Sequence, residues 1–346
     1  MRILMFGPES KAKGGIATVI SNFKDHFKSE NNEIFYLESW KEGSLIRRTL
    51  SSVIGLVMLP ILISSKKLDL VHIHIAQDGS YFRKAIAVRL TKLCRKKVLL
   101  HIHGSHFDAY HRESKPLLQR HLIETLQKSD KVIVLNDEVQ QYFSAYGIKT
   151  EIMFNAVPIP ERQEGSKKEM QISCFGQLGK RKGTYDILDV AAVLQEKHPD
   201  IPIYLYGDGD IKKIEELIKT RNLLNVHLGG WVTAEQKEVA MQQTMIHILP
   251  SYQEGLPMAI LETMAQGIPN ISTYVGGIPD IIDNGKNGLL IEPGNTKQLE
   301  AALLTLITDN KLRQRMGTEA YWKVEDKFSM PAYLKKWEKI YTEWDE

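Results

Sequence analysis

At 346 residues, with 43% hydrophobic and 25% charged content, the chain has the composition of a soluble globular protein and the length for two domains of ordinary size. Its two cysteines, Cys94 and Cys174, exclude a disulfide framework and fit a reducing cytoplasm. Net charge is only +3, yet residues 1–165 hold 24 Lys and Arg against 17 Asp and Glu, while the remainder holds 21 against 25. A basic first half suits an anionic membrane surface or a phosphorylated ligand. No aromatic-interleaved basic patch points to nucleic acid.

The chain opens on Met1-Arg-Ile-Leu-Met-Phe-Gly7, read as a short strand reaching a glycine. It is not read as a signal peptide, because the apolar run is short and no small-residue cleavage site follows. Strands are predicted at 2–6, 33–37, 70–75, 97–101, 131–135 and 151–154, alternating with helices at 18–27, 45–64, 82–94, 117–127 and 137–146. Between the first strand and the first helix, Gly14 and Gly15 let the backbone approach a ligand closely and leave helix N–H groups free for a phosphate. The G-x-G-x-x-G spacing of a dinucleotide site is absent. The apolar run 53–63 lies between Arg47-Arg48 and Lys66-Lys67. A membrane span needs about 20 residues, so a packed helix is expected, with a re-entrant or surface-bound segment as the alternative. Histidines gather at two strand ends, His72 and His74, then His101, His103 and His106. Alternate strand residues share a face, but with no acid or cysteine partner at matching spacing no metal site is predicted.

A polar, proline-bearing stretch at 158–168 is expected to link two domains. Beyond it, strands are predicted at 171–175, 203–206, 226–228, 245–249, 270–273 and 288–291, and helices at 184–196, 210–220, 233–243, 257–266 and 296–306. Strands alternating with helices give parallel βαβ units. The expected fold is therefore α/β, with two Rossmann-like doubly wound domains facing a central cleft and ligands at the carboxyl ends of the strands. A closing helix near 330–344 places Tyr333, Trp337 and Tyr341 four residues apart, a stripe that reads as core packing.

Three stretches of the second half carry chemistry. Lys182-Gly183 follows a strand and leads into a helix, and a lysine there can neutralise charge building on a departing group. Tyr206-Gly207-Asp208-Gly209 and Gly229-Gly230-Trp231-Val232 are strand ends, either tight turns or ligand borders. Glu254-Gly-Leu-Pro-Met-Ala-Ile-Leu-Glu262 sits at a loop-to-helix transition, with Pro257 suited to a first turn and the free N–H groups there able to receive a phosphate. One carboxylate precedes the helix and the other lies just over one turn inside it, a layout that fits an elongated sugar nucleotide.

The segment from Ser251-Tyr-Gln-Glu254-Gly-Leu-Pro to Glu262-Thr-Met-Ala-Gln-Gly-Ile-Pro269, followed by Val275-Gly-Gly-Ile-Pro279-Asp280 and Asn287-Gly-Leu-Leu, closely resembles the donor-binding block of family 4 retaining glycosyltransferases of the GT-B fold. The resemblance implies an N-terminal acceptor domain over 1–160, with the terminal helix 330–346 packing back on it, and a nucleotide-sugar donor domain over 169–329. It implies that His103, Glu254 and Lys182 act in catalysis, with Lys182 on the diphosphate, Glu254 on the donor sugar and Glu262 on the ribose hydroxyls. The donor side would also include Gly14, Gly15, Gln177, Arg181, Gly207, Trp231, Val232, Gly255, Leu256, Pro257 and Met258. The acceptor side would include Gly15, His103, Gly104 and Asn155. No metal or cofactor is implied beyond the nucleotide diphosphate sugar itself, a UDP-sugar in preference to a GDP-sugar. The implied reaction moves a hexose-type sugar to a hydroxyl of a glycan or lipid-linked acceptor in cell-surface polysaccharide synthesis. It would take place in the cytoplasm, with attachment to the inner face of the membrane as a further expectation and no indication of oligomeric state. Two departures stand out. Gln177 occupies the usual arginine position and cannot supply a guanidinium fork, and Ala156 replaces the family's glycine after Asn155. A nucleotide-sugar 2-epimerase and a catalytically weakened partner subunit stay open as other readings.

Overall fold

Each predicted strand is present in the computed structural model, which describes residues 1–104, 106–160 and 171–344. The chain divides into two units, Met1–Ala156 with Met330–Glu346, and Val157–Ser329. The stretch 158–168 expected to link domains lies mostly outside the described residues.

In the first unit, Arg2–Pro8 (β1), Glu33–Trp40 (β2), Leu70–Ile75 (β3), Lys97–Ile102 (β4), Lys131–Val134 (β5) and Thr150–Ile152 (β6) form one parallel sheet in the order β2-β1-β3-β4-β5-β6. Crossover helices cover both faces, so the central strands β1, β3, β4 and β5 are buried on both sides and read as apolar runs, while the edge strands β2 and β6 are only partly covered. The two-residue pleat sorts β1 cleanly: Leu4 and Phe6 join one core with Val71, Ile73 and Leu100, while Ile3 and Met5 join another with Leu70, Leu99 and Ile133. The second core is closed by the helix Met330–Thr342, which inserts Tyr333, Trp337, Ile340 and Tyr341. The aromatic stripe is thus core packing.

In the second unit, Gln171–Phe175 (β7), Ile203–Tyr206 (β8), Val226–Gly230 (β9), Thr244–Leu249 (β10), Asn270–Thr273 (β11) and Gly288–Ile291 (β12) pair in the order β12-β11-β10-β7-β8-β9, again all parallel. Counted within the unit, this is the 3-2-1-4-5-6 order of a doubly wound dinucleotide-type sheet, and its strand order reverses between β7 and β10. In the first unit the reversal falls between β1 and β3.

Three helices escape the sequence reading: Phe107–Glu113, Ile278–Ile281 and Asn310–Lys327. The first two are shorter than the window in which periodicity shows. The third buries Met316, Gly317, Ala320 and Val324, a stripe of mostly small side chains with a weak apolar signature. A side chain on Gly317 would overlap the carbonyl of Gly267, so close approach to the turn that ends the helix Met258–Ala265 replaces bulk. Several helix starts also move, among them that of the helix predicted from 82, which begins at Gly79. The first helix begins at Gly15, ahead of Thr18, and the helix after Glu254 begins at Met258, with Pro257 outside it in the cap position.

Candidate active site

The second unit brings its chemistry together at the reversal point between β7 and β10. Gly183 has φ 68°, and a side chain there would overlap the Pro250 carbonyl. The turn after β7 is therefore pressed against the turn after β10, and only glycine fits the contact. Lys182, in the turn Lys180–Lys182, consequently forms an ion pair with Glu254, their side chains 12% and 6% exposed. Ser251 Oγ donates to the same Glu254 Oε1 at 2.7 Å. Behind Glu254, Gly276 at φ 52° lies where a side chain would overlap the Glu254 carbonyl, and the Gly277 amide donates to the Gly255 carbonyl at 2.7 Å. The Val275-Gly-Gly turn thereby fixes the backbone that carries Glu254.

The helix Met258–Ala265 starts with no capping side chain and no acid in its first turn, which leaves its opening amides available to an anion. Leu256 and Met258 are buried, so they offer a ligand backbone only. One turn on, Glu262 pairs with Lys237 of the helix Ala234–Gln242, and the Lys237 ammonium also lies over the Phe175 ring, 5.4 Å from its centroid. Each of the two sequence-marked glutamates is therefore held by a lysine. Lys237 was missed by sequence reasoning, because it is one charge in a polar helix and no local pattern sets it apart.

The neighbouring strand ends are stitched edge to edge. The Gly176 amide donates to the Tyr206 carbonyl at 3.0 Å, Leu178 to Asp208 at 2.6 Å, and Gly207 to Gly230 at 2.7 Å. A side chain on Gly207 would overlap the Gly176 carbonyl. Trp231 is 50% exposed beside the half-buried Val232, and Gln177 is exposed. Arg181 Nη1 donates to the Gln253 carbonyl at 3.3 Å, next to Glu254. Two further groups lie within the sheet. Burial pushes the Cys174 thiol up to about 12, so it is neither thiolate nor nucleophile. Burial pulls His247 down to about 4, its ring bonded to Asn270 at 2.5 Å. With paired lysines, two carboxylates and a free helix start, this end of the sheet can exchange its internal ion pairs for a ligand bearing both phosphates and hydroxyls.

The first unit carries the other predicted residues. Gly14 has φ 120° and open space where a side chain would be, just before the uncapped start of the helix Gly15–His26. His103 follows β4, its amide bonded to the Ile75 carbonyl at 2.8 Å and its Nε2 2.8 Å from His74 Nδ1. Desolvation holds its pKa below the usual histidine range, so the imidazole is neutral at pH 7. Gly104 packs where a side chain would overlap Gln77 Oε1, and Asn155 is buried. His72, His74 and His101 gather within 4.8 Å, the one potential three-ligand set among the described residues. Yet the His72 and His74 rings are stacked, with centroids 4.4 Å apart and planes 19° from parallel, so their in-plane lone pairs do not converge. His72 bonds instead to the Tyr341 hydroxyl at 2.8 Å and to His101 at 3.3 Å, beneath Trp337. This cluster ties β3 and β4 to the helix Met330–Thr342.

Comparison with known proteins bears on the family and the fold. Residues 12–159 match the family described as Glycosyltransferase Family 4, and residues 159–323 match Glycosyl transferases group 1. An uncharacterized glycosyltransferase of Methanocaldococcus jannaschii is 30% identical over 239 residues, spanning 64% of this chain and 68% of the relative. A poly(ribitol-phosphate) alpha-N-acetylglucosaminyltransferase of Staphylococcus aureus is 26% identical over 259 residues, 72% of this chain and about half (51%) of that longer protein. Among solved structures, Anabaena HepE in complex with UDP-glucose superposes with a TM-score of 0.79 at 16% identity, covering 99% of this chain and 100% of that one. At that identity the likeness shows a shared GT-B fold.

Proposed function

The chain belongs to the family 4, group 1 glycosyltransferases, and we propose that it moves a hexose-type sugar, with retention, from a UDP-sugar to a hydroxyl of a glycan or lipid-linked acceptor. The carrying observation is the Lys182–Glu254 pair at the strand-order reversal, one turn before the Glu262–Lys237 pair on the helix Met258–Ala265. A nucleotide diphosphate entering there exchanges partners. Lys182 and the opening amides of that helix take the diphosphate, Glu254 is released to the sugar hydroxyls, and Glu262 turns from Lys237 to the ribose hydroxyls. As the glycosidic bond to the diphosphate breaks, charge grows on the leaving oxygen, and the Lys182 ammonium stabilises it where water is scarce. Arg181, close to Glu254 through the Gln253 carbonyl, supplies the positive charge that Gln177 lacks. With these cations in place the transfer requires no divalent ion. His103, neutral and oriented by His74, positions the acceptor hydroxyl on the leaving group's own face. The UDP-glucose bound by the Anabaena structure favours uridine as the base.

We further propose that the protein works in the cytoplasm and that the helix Leu45–Ser65 holds it to the inner face of the membrane. That helix is apolar enough and long enough to cross a bilayer by composition alone. It packs on β2 through Gly55, however, where a side chain would overlap the Glu38 carbonyl, and it buries Ser52, Leu59 and Ile63. Leu45, Ile46, Leu50, Val53, Ile54, Val57 and Ile61 are each more than half exposed. The outward face thus suits an interfacial position rather than a span.

The reaction is tested by incubating the protein with UDP-, GDP- and ADP-sugars and a membrane extract, with and without EDTA. The expected result is an acceptor-dependent product from a UDP-sugar, with the donor's anomeric configuration kept and EDTA without effect. Donor conversion in the absence of acceptor, or an inverted linkage, would sink the proposal.

A further inference from the structure

The loop and helix after β3 hold a buried cation that the transfer chemistry above leaves without a role. Lys84, in the second turn of the helix Gly79–Leu93, is 1% exposed and takes part in no hydrogen bond or ion pair among the described residues. Burial, with the adjacent Arg83 guanidinium, pulls its ammonium down to about 7. Its charge also reaches His74, which burial, foremost, and the neighbouring imidazoles hold neutral. Three further polar atoms along the same stretch are buried and unbonded: His74 Nε2, Gln77 Oε1 and Arg83 Nε. The Arg83 side chain folds back along its helix, with Nη1 3.3 Å from where a side chain on Gly79 would begin. The helix itself starts with no capping side chain and no acid in its first turn, since Asp78, at φ 57°, makes no cap hydrogen bond.

A buried ammonium without a counter-ion is costly; it gives up its proton more readily, as Lys84 does, and an anion that arrives beside it restores the charged form and pairs with it. Two cations and a set of free helix amides match a tetrahedral oxyanion rather than a neutral sugar. The place is next to His103, through the His74–His103 hydrogen bond and the Gly104–Gln77 contact. We propose that Lys84, Arg83 and the opening amides of the helix Gly79–Leu93 form a phosphate-binding subsite, and that the acceptor of this enzyme therefore carries a phosphate beside the hydroxyl that is glycosylated. The inference rests on the glycosyl-transfer reading only for the word acceptor. Phosphate binding is a property of the first unit and is measured separately.

The test uses the full chain with UDP present in excess, to occupy the donor side, and titrates inorganic phosphate and then pyrophosphate while following the histidine ring resonances by NMR. Saturable shifts of His74 and His103 are expected. Lys84→Met should raise the apparent dissociation constant roughly tenfold or more, the loss of one charge-assisted contact, and Arg83→Gln should raise it less. Because Lys84→Met also removes an unpaired buried charge, its Tm without phosphate should rise, an effect that a structurally required lysine would not give. Tighter binding of pyrophosphate than of phosphate assigns a diphosphate-linked acceptor, and equal binding assigns a single phosphate. Equal phosphate affinity in wild type and Lys84→Met, or shifts confined to His247 of the other unit, would overturn the subsite. Failure of UDP to bind would count against the donor reading and leave the Lys84 comparison intact.

Discussion

Glu262 and Lys237 show what a single side chain can and cannot reveal. The glutamate is marked in the sequence by its place inside a helix that follows a glycine-bearing loop, whereas its lysine is visible only once two helices meet. If Glu262 turns to the ribose on binding, Glu262→Ala loses charge-assisted hydrogen bonds worth about 1.5 to 3 kcal/mol, or roughly 10- to 150-fold in affinity. Isothermal titration with UDP measures this, and an unchanged dissociation constant would leave Glu262 as no more than the partner of Lys237. The histidine cluster makes a second prediction. Burial, the first cause in each case, holds His72, His74 and His101 well below 6.5, so the unfolded chain binds protons that the native protein refuses once pH drops below that value. Stability present above about pH 6.5 is therefore lost as pH falls toward the native-state values. Urea midpoints measured between pH 7.5 and 5.5 should decline, and a flat profile would contradict the assignment.

At the scale of elements, the alternation of apolar runs and helical periods made the strands and their parallel arrangement legible. The order of the strands was not, because it is fixed by long-range packing rather than by local pattern. That order is what makes the site: Lys182 and Glu254 lie 72 residues apart and meet because β7 neighbours β10 and Gly183 lets the two turns touch. The His72 and His74 pair reads as a possible metal motif from strand alternation alone, and only the docking of Trp337 and Tyr341 shows what occupies that face. The helix Met330–Thr342 is correspondingly part of the core of the first unit. Trp337→Ala should cost about 3 to 5 kcal/mol, the range for removing a buried large aromatic. Denaturant unfolding should show that loss in the transition reported by the first unit, and a cost below about 1 kcal/mol would mean the helix is dispensable.

For the whole molecule, composition gave the class and the uneven charge hinted at a surface. The 11-residue apolar run understated that surface, because Leu45, Ile46 and Leu50 extend it along the same helix ahead of residue 53. From Gly43 to Leu68 the chain carries Arg47, Arg48, Lys66 and Lys67 and no acid, which complements anionic headgroups. The protein should co-sediment with phosphatidylglycerol-containing vesicles at low salt, less with neutral vesicles, and weakly with either after Val53→Glu and Val57→Glu. Equal recovery of wild type and variant in the vesicle pellet would remove the helix from membrane attachment.

The chain leaves the first unit at Ala156 and re-enters it at Met330, and the two ends of the intervening stretch are tied, the Val157 amide donating to the Phe328 carbonyl at 3.0 Å. In order of synthesis, the second unit is complete before the helix Met330–Thr342 emerges, while the first unit must wait with Ile3, Met5, Leu99 and the imidazoles of His72 and His101 uncovered. Residues 157–329 are thus an insertion between the two parts of the first unit, whose second core closes only when Trp337 and Tyr341 return to it.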